Sequence, residues 1–330
     1  RCHRSERPVA AGRLGAVGMY GDAHAPPRGG GVLIREVWAD NVDEEMGYIR
    51  EIVERYPYMA MDTEFPGTVA RPIGSFRTRT EQNYQNIRCN VDLLNIIQLG
   101  ITFSDGDGNL APGCSTWQFN FKFSLSDDLY AQDSIDLLTQ AGIDFKKHEE
   151  HGISPVYFAE LLMVSGIVLC DDKRWISFHS GYDFGYLLKI LTCKPLPETE
   201  GEFFEQLRIY FPAIYDIKFI ASSCDNLKGG LNKLAELLEV PRIGPEHQAG
   251  SDSLLTQAAF FKLRRAYFDD YLDDDQYIGV LWGLNAGGGG AGPLTTSYSY
   301  GGSPHPNAAI SHALGNHNGG HNGGPPLSLP

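Results

Sequence analysis

Two carboxylates two residues apart, Asp62 and Glu64, stand inside an otherwise apolar stretch, Met59-Ala60-Met61-Asp62-Thr63-Glu64-Phe65. The period-two pattern is that of a half-buried strand. It turns Met59, Met61 and Phe65 to one side, with Thr63 among them, and Ala60, Asp62 and Glu64 to the other. A charge inside an apolar strand is costly unless it is paired or metal-bound, and two like charges on one face also raise each other's energy unless a cation sits between them. A second acidic run, Asp43-Glu44-Glu45, has an ordinary explanation, because it falls in a first helical turn and complements the helix dipole. Asp62 and Glu64 have none, and a pair of divalent metal ions is the chemistry they suggest.

Two more carboxylates and a histidine extend the pattern. Asp183 lies in Trp175-Ile176-Ser177-Phe178-His179-Ser180-Gly181-Tyr182-Asp183-Phe184, where a strand runs into a helix through a Ser-Gly turn. Ser180 and Asp183 have capping-box spacing, but a carboxylate at a helix start can also reach a metal beside the sheet. Asp252 opens a long helix after Gly244-Pro245-Glu246-His247-Gln248-Ala249-Gly250-Ser251, and dipole compensation alone would account for it. His247 stands five residues earlier on the approach loop, where a lone histidine is ordinarily just solvated. Each residue has a structural alternative, but those alternatives do not explain the set, ordered Asp-x-Glu, Asp, His-x4-Asp. Four carboxylates from three separate elements suit a two-metal nuclease centre whose hard oxygen ligands select Mg2+ or Mn2+ over zinc. Two such ions can activate a water and stabilise the leaving 3′ oxygen of an in-line displacement. A nearby histidine can take the proton from that water.

The elements that must position these residues can be read in order. Asn41 and Glu44 form a capping-box pair ahead of a helix over 42–55. Strands follow over 58–65, stopped by Pro66-Gly67, then over 96–103 and 116–123, with a turn at Asp105-Gly106-Asp107-Gly108 between the last two. Three strands joined this closely suggest an antiparallel meander. In the third, Trp117, Phe119, Phe121 and Phe123 alternate with Gln118, Asn120 and Lys122, which makes one face aromatic. Helices over 134–139 and 155–163, a strand over 175–178 and helices over 181–191 and 202–210 come next. A short element over 214–219 and helices over 231–238 and 252–268 complete the body. Antiparallel strands first and alternating helices and strands later make an α/β mixed sheet with helices on its faces, of which the ribonuclease H-like layout is one case.

Composition sets the outer limits. The 330 residues are 42% hydrophobic and carry a net charge of −14. That is ample core material, and it argues against a protein that coats nucleic acid by electrostatics alone. No apolar run approaches the ~20 residues that span a bilayer, so no membrane is expected as a partner. Six cysteines without CxxC pairing read as free thiols in a reducing compartment. Residues 1–31 are rich in Gly, Ala, Pro and Arg and read as a disordered N-terminal segment. From Asn285 to Pro330 there is no Asp, Glu, Lys or Arg, which predicts a disordered Gly/Pro/Asn/His-rich tail. The folded domain is then 32–284. Arg71, Arg77, Arg79 and Arg88 supply positive charge after the first strand, either as contacts to nucleic acid or as an ordinary solvated loop.

The order of the acidic motifs resembles the DEDDh branch of the DEDD exonucleases. Longer strings narrow this: Asp62-Thr63-Glu64-Phe65-Pro66-Gly67, Arg88-Cys89-Asn90-Val91-Asp92-Leu93-Leu94, Ile97-Gln98-Leu99-Gly100, Phe178 to Tyr186, Asn226-Leu227-Lys228-Gly229-Gly230-Leu231 and His247 to Leu255. Together they resemble the family of carbon-catabolite-repressor-associated factors, catalytic deadenylase subunits of the eukaryotic mRNA-deadenylation complex, across about residues 32–284. The resemblance implies a ribonuclease H-like DEDD exonuclease fold and 3′-to-5′ hydrolysis of an mRNA poly(A) tail with release of AMP. It implies that Asp62, Glu64 and Asp252 hold one Mg2+ or Mn2+, that Asp62 and Asp183 serve a second, and that His247 is the general base. It also implies a scaffold subunit and a second nuclease subunit as partners, in the cytoplasm and nucleus. Two alternatives stay open at this point: another DEDDh exonuclease acting on RNA or DNA, and a non-catalytic adaptor with the same fold.

Overall fold

The computed structural model describes residues 34–284. The expected disordered segments at 1–31 and 285–330 lie outside the described residues. In chain order the elements are β1 (Ile34–Val37), α1 (Val42–Ile52), β2 (Tyr58–Glu64), α2 (Arg79–Leu93), β3 (Gln98–Ser104) and β4 (Thr116–Asn120). They continue with α3 (Gln132–Gln140), α4 (Phe145–His151), α5 (Pro155–Met163), β5 (Arg174–Ser177), α6 (Gly181–Thr192) and α7 (Glu200–Tyr210). The last are β6 (Ile214–Asp216), α8 (Ile217–Ser222), α9 (Leu231–Leu237), α10 (Ala249–Tyr267) and α11 (Asp274–Tyr277).

The strands form one mixed sheet in the order β1-β4-β3-β2-β5-β6. The expected meander is present: β2 pairs antiparallel with β3, and β3 with β4. Parallel pairs β1–β4, β2–β5 and β5–β6 complete it. The alternation in β2 works as the sequence implies. Met59 and Met61 enter a core shared with Met46 of α1, Tyr84 of α2, Phe158 of α5, Leu187 of α6 and Phe203 of α7. Ala60 points the other way, into a second core with Ile176 of β5 and Phe260 and Phe261 of α10. Helices therefore cover both faces, and β2 is buried between them. Asp62 and Glu64 lie on the α10 side.

Several features depart from the expectations, among them the short helices α4 and α11, for which no element was expected. The edge strand β1 and the helix α2 were not anticipated, and Arg79 and Arg88 belong to α2 rather than to a loop. Asn41 precedes α1 without capping it; its side chain instead accepts from Trp38 N at 2.7 Å and donates to Glu36 O at 3.1 Å. β4 ends at Asn120, although Phe121 continues in a single bridge to Ile153. Its polar face is not solvated, since Gln118 and Asn120 are as buried as its aromatic residues. No helix among the described residues is long and apolar enough to cross a membrane, and no disulfide joins the five described cysteines.

Candidate metal centre

α10 carries the carboxylate farthest along the chain from β2, so its approach to the sheet decides whether a site forms. Gly100 of β3 is the register partner of Asp62, and a Cβ there would lie 1.9 Å from the carbonyl oxygen of Ala249. Only a residue without a side chain lets the first turn of α10 sit this low. Two amides from the sheet then cap that turn. Gln98 Oε1 accepts from Ala249 N at 3.2 Å and Gln118 Oε1 from Gly250 N at 2.8 Å, satisfying N–H groups that a helix start leaves unpaired. Gln248 ties both amides together, its Oε1 accepting from Gln98 Nε2 and Gln118 Nε2 at 3.2 and 2.8 Å.

The result is a cluster in which ligand oxygens of Asp62, Glu64 and Asp252 lie within 4.8 Å of one another. Asp62 and Glu64 are half-buried, and Asp252 is 8% exposed. Asp183 reaches the same strand from the opposite helical layer. α6 is anchored there by Phe184, which packs with Trp175 and Phe211 at centroid distances of 6.3 and 5.1 Å. The Ser180–Asp183 capping box, the structural alternative for Asp183, does not form. Asp183 Oδ1 instead accepts from Thr63 N at 3.0 Å and Thr63 Oγ1 at 2.6 Å. Thr63 faces the larger core as expected, but its hydroxyl aims Asp183 at β2.

His247 stands on the approach loop with φ +58°, a left-handed backbone that non-glycine residues adopt infrequently. Its N–H donates to Asp252 Oδ2 at 3.0 Å, which holds the turn in place. All five sequence-predicted residues therefore converge at one end of β2. Arg242 was not predicted. Its guanidinium lies 2.6 Å from Asp252 Oδ1 and also donates to Ser251 Oγ at 3.1 Å and to Asn232 Oδ1. It lies ten residues before Asp252 on an irregular segment, where no periodicity could have flagged it.

The electrostatics are those of crowded acids. Burial, then the carboxylates of Asp183, Asp252 and Glu64, hold Asp62 well above the ordinary carboxylate range, against the pull of Arg242. Glu64 is pushed up to about 8 by burial, then by Asp252 and Asp183. Asp183 is raised to about 6 by burial, with the Thr63 hydrogen bonds opposing the rise. A divalent cation reverses this sign, because it favours the ionised oxygens. An all-carboxylate donor set fits Mg2+ or Mn2+ and does not offer the nitrogen or sulfur ligands that zinc favours.

The sequence matches the CAF1 family ribonuclease profile over residues 37–160 and 164–260. It is 56% identical over 265 residues to "Probable CCR4-associated factor 1 homolog 7" of Arabidopsis thaliana, covering 78% of this chain and 95% of that protein. It is 53% identical over 255 residues to "Poly(A) ribonuclease pop2" of Schizosaccharomyces pombe, covering 77% of this chain and 76% of that one. The solved S. pombe Pop2p in its Mg2+- and Mn2+-bound form superposes with a TM-score of 0.74 at 54% identity, over 76% of this chain and 99% of that chain. A chain from the yeast NOT1 MIF4G domain co-crystallised with CAF1 gives a TM-score of 0.65 at 32% identity, over 78% of this chain and all of that chain. A profile match spanning most of the described residues and more than half identity to two family members agree with the site that β2, α6 and α10 build, and the chain belongs to the CAF1 family of ribonucleases.

Proposed function

We propose that this chain is a 3′-to-5′ poly(A)-specific exoribonuclease, an mRNA deadenylase that releases AMP. The observation that carries the proposal is the gathering of Asp62, Glu64 and Asp252 within 4.8 Å, with Asp183 fixed beside them by Thr63. Asp62, Glu64 and Asp252 would hold one cation, and Asp62 and Asp183 would serve a second. When bound, such a pair would supply the positive charge that lowers the pKa of an attacking water and offsets charge on the leaving 3′ oxygen. His247, whose backbone N–H donates to Asp252 Oδ2, would take the proton of that water as general base. Gln98, Gln118 and Gln248 keep α10, and so Asp252, at a fixed height above β2.

The preference for adenine rests on the S. pombe relative, whose name is poly(A) ribonuclease. The scaffold partner rests on the yeast CAF1 chain crystallised with a NOT1 MIF4G domain. A second nuclease subunit, and residence in both cytoplasm and nucleus, rest on the family resemblance alone. The activity is tested by comparing 3′ trimming of a 20-adenosine RNA, a mixed-sequence RNA and single-stranded DNA in Mg2+. The proposal expects fastest shortening of the adenosine RNA with AMP as product. Equal rates on all three would remove the deadenylase assignment.

A further inference from the structure

A groove of 870 Å3 opens beside the metal centre, at the edge of the sheet where the parallel strands β2, β5 and β6 end. One wall is the chain after β2 together with α2. The other is the turn after β5, α8 and the segment 282–284. The two sites meet at Tyr182, which lines the groove, neighbours Asp183 and stacks on Phe65, the residue after Glu64, at 5.2 Å and 18°.

The electrostatics of this groove run against those of the molecule. The chain has a net charge of −14, yet no carboxylate is found among the described residues that line the groove. Arg71 and Arg79 line it, both exposed, and neither has a salt-bridge partner among the described residues. On the facing wall Lys218 Nζ lies 3.2 Å from His179 Nδ1. Phe219 and Trp282, the latter 38% exposed, line the same space, with Lys218 Nζ 5.9 Å from the centroid of the Trp282 ring. Arginines without ion-pair partners among the described residues, set beside aromatic rings that line the same groove, are what a single nucleic-acid strand requires, the cations for its phosphates and the rings for its bases.

Buried polar groups hold both walls. Asn90, 1% exposed, accepts from Val69 N and Ala70 N at 2.7 and 2.9 Å and donates to Ala70 O at 2.9 Å, which fixes the chain leading into Arg71. Asp216, fully buried, accepts from the N–H groups of His179, Lys218 and Trp282, each at 2.9 Å. That one carboxylate fastens three segments of the opposite wall and holds His179 at φ +59°. Asn83 Nδ2 donates to Gly283 O at 2.9 Å and joins the walls. A groove fastened this way is preorganised, so a ligand spends little of its binding energy on ordering it.

We propose that this groove holds the RNA strand upstream of the scissile phosphodiester, with Arg71 and Arg79 on its phosphates and Trp282 and Phe219 stacked on its bases. This rests on the exoribonuclease reading above and adds the residues that carry the substrate. Binding of a fluorescein-labelled 20-adenosine RNA to the intact protein, followed by anisotropy in EDTA across a salt series, tests the groove separately from turnover. Each phosphate contact on a single strand contributes about 0.7 to the salt slope, so Arg71→Ala/Arg79→Ala flattens the slope by about 1.4 and weakens binding about tenfold or more. Trp282→Ala weakens binding about tenfold, and Trp282→Phe, which keeps a ring to stack, restores most of it. Arg77→Ala, exposed in the same region but outside the groove, binds as the wild type does. Wild-type affinity and salt slope in the double arginine variant, or no binding by the wild type, overturns the groove. Failure of the wild type to shorten the same RNA in Mg2+ overturns the exoribonuclease reading instead.

Discussion

The guanidinium of Arg242 lies 2.6 Å from Asp252 Oδ1, and both side chains are largely shielded from solvent, at 17% and 11% exposure. The arginine sits on the loop that leads to His247, so one contact joins the Asp252 carboxylate to the segment that carries His247. It also supplies the positive charge that opposes the raised pKa values of Asp62 and Glu64. Arg242→Ala should therefore destabilise the metal-free protein by about 2 kcal/mol, the scale of a shielded hydrogen bond to a charged group. The loss should shrink in Mg2+, where cations take over the neutralisation. Urea unfolding in EDTA and in Mg2+ measures both, and an equal loss in the two buffers would count against this role.

The raised carboxylates give the metal effect a pH dependence with a definite sign. An unfolded Asp or Glu titrates near 4, roughly, whereas Asp183 titrates at about 6 and Glu64 at about 8 in the folded, metal-free protein. A folded pKa raised above the unfolded one contributes stability that is complete below the unfolded value and is lost as pH rises through the folded value. The metal-free protein should thus weaken between pH 5 and 9, roughly, while added Mg2+ binds the ionised form and offsets more of the loss at each step. Melting curves with Mg2+ and with EDTA should diverge as pH rises. A gap that stays constant or narrows would contradict the assignment.

Thr63 positions Asp183 through a hydroxyl hydrogen bond of 2.6 Å. That bond favours the ionised carboxylate, so removing it raises the Asp183 pKa further. Thr63→Val should lower kcat about tenfold or more while KM changes little, and should move the acid limb of the kcat–pH profile to higher pH. An acid limb at its original position would show that Thr63 serves packing alone.

Gly100 sets the height of α10 above β2, because its Cβ position is occupied by the Ala249 carbonyl. Gly100→Ala must push the first turn of α10 away, taking Asp252 and His247 with it. Overpacking of this kind costs about 1–3 kcal/mol, and a displacement near 1 Å can cost about 100-fold in rate. Reduced trimming together with a smaller Mg2+-induced rise in Tm is the expected pair of results. Normal trimming would mean that the site tolerates a raised helix.

Much of this site was legible in the sequence because it lies on regular elements. The alternation of Tyr58–Glu64 puts Asp62 and Glu64 on one face, and the structure keeps them there, under α10. α6 and α10 were visible as apolar runs after glycine-bearing turns. β1 was hidden by its length of four residues and by its parallel pairing with β4, distant in sequence. α2 was hidden by composition: its sequence is strongly polar, and the spaced Tyr84, Ile87 and Val91 that it buries are sparse among arginines and amides. Gln98, Gln118 and Asn120 read as ordinary strand polarity, whereas they cap α10 and bridge β3 to β4 inside the protein. The contacts of Arg242, Asp216 and Thr63 join segments far apart or irregular in the chain, and no local period announces such contacts.

If the carboxylates around β2 form a metal-dependent centre that cleaves RNA from its 3′ end, Asp62 is the residue that both proposed cation positions would share. The most direct measurement is the trimming rate of a 5′-labelled 20-adenosine RNA by wild type and Asp62→Ala, each in Mg2+ and in excess EDTA. Stepwise shortening is expected from the wild type in Mg2+ only, with a loss of about a thousandfold or more in Asp62→Ala. Shortening by Asp62→Ala at a rate near that of the wild type, or wild-type activity that persists in EDTA, would contradict such a centre.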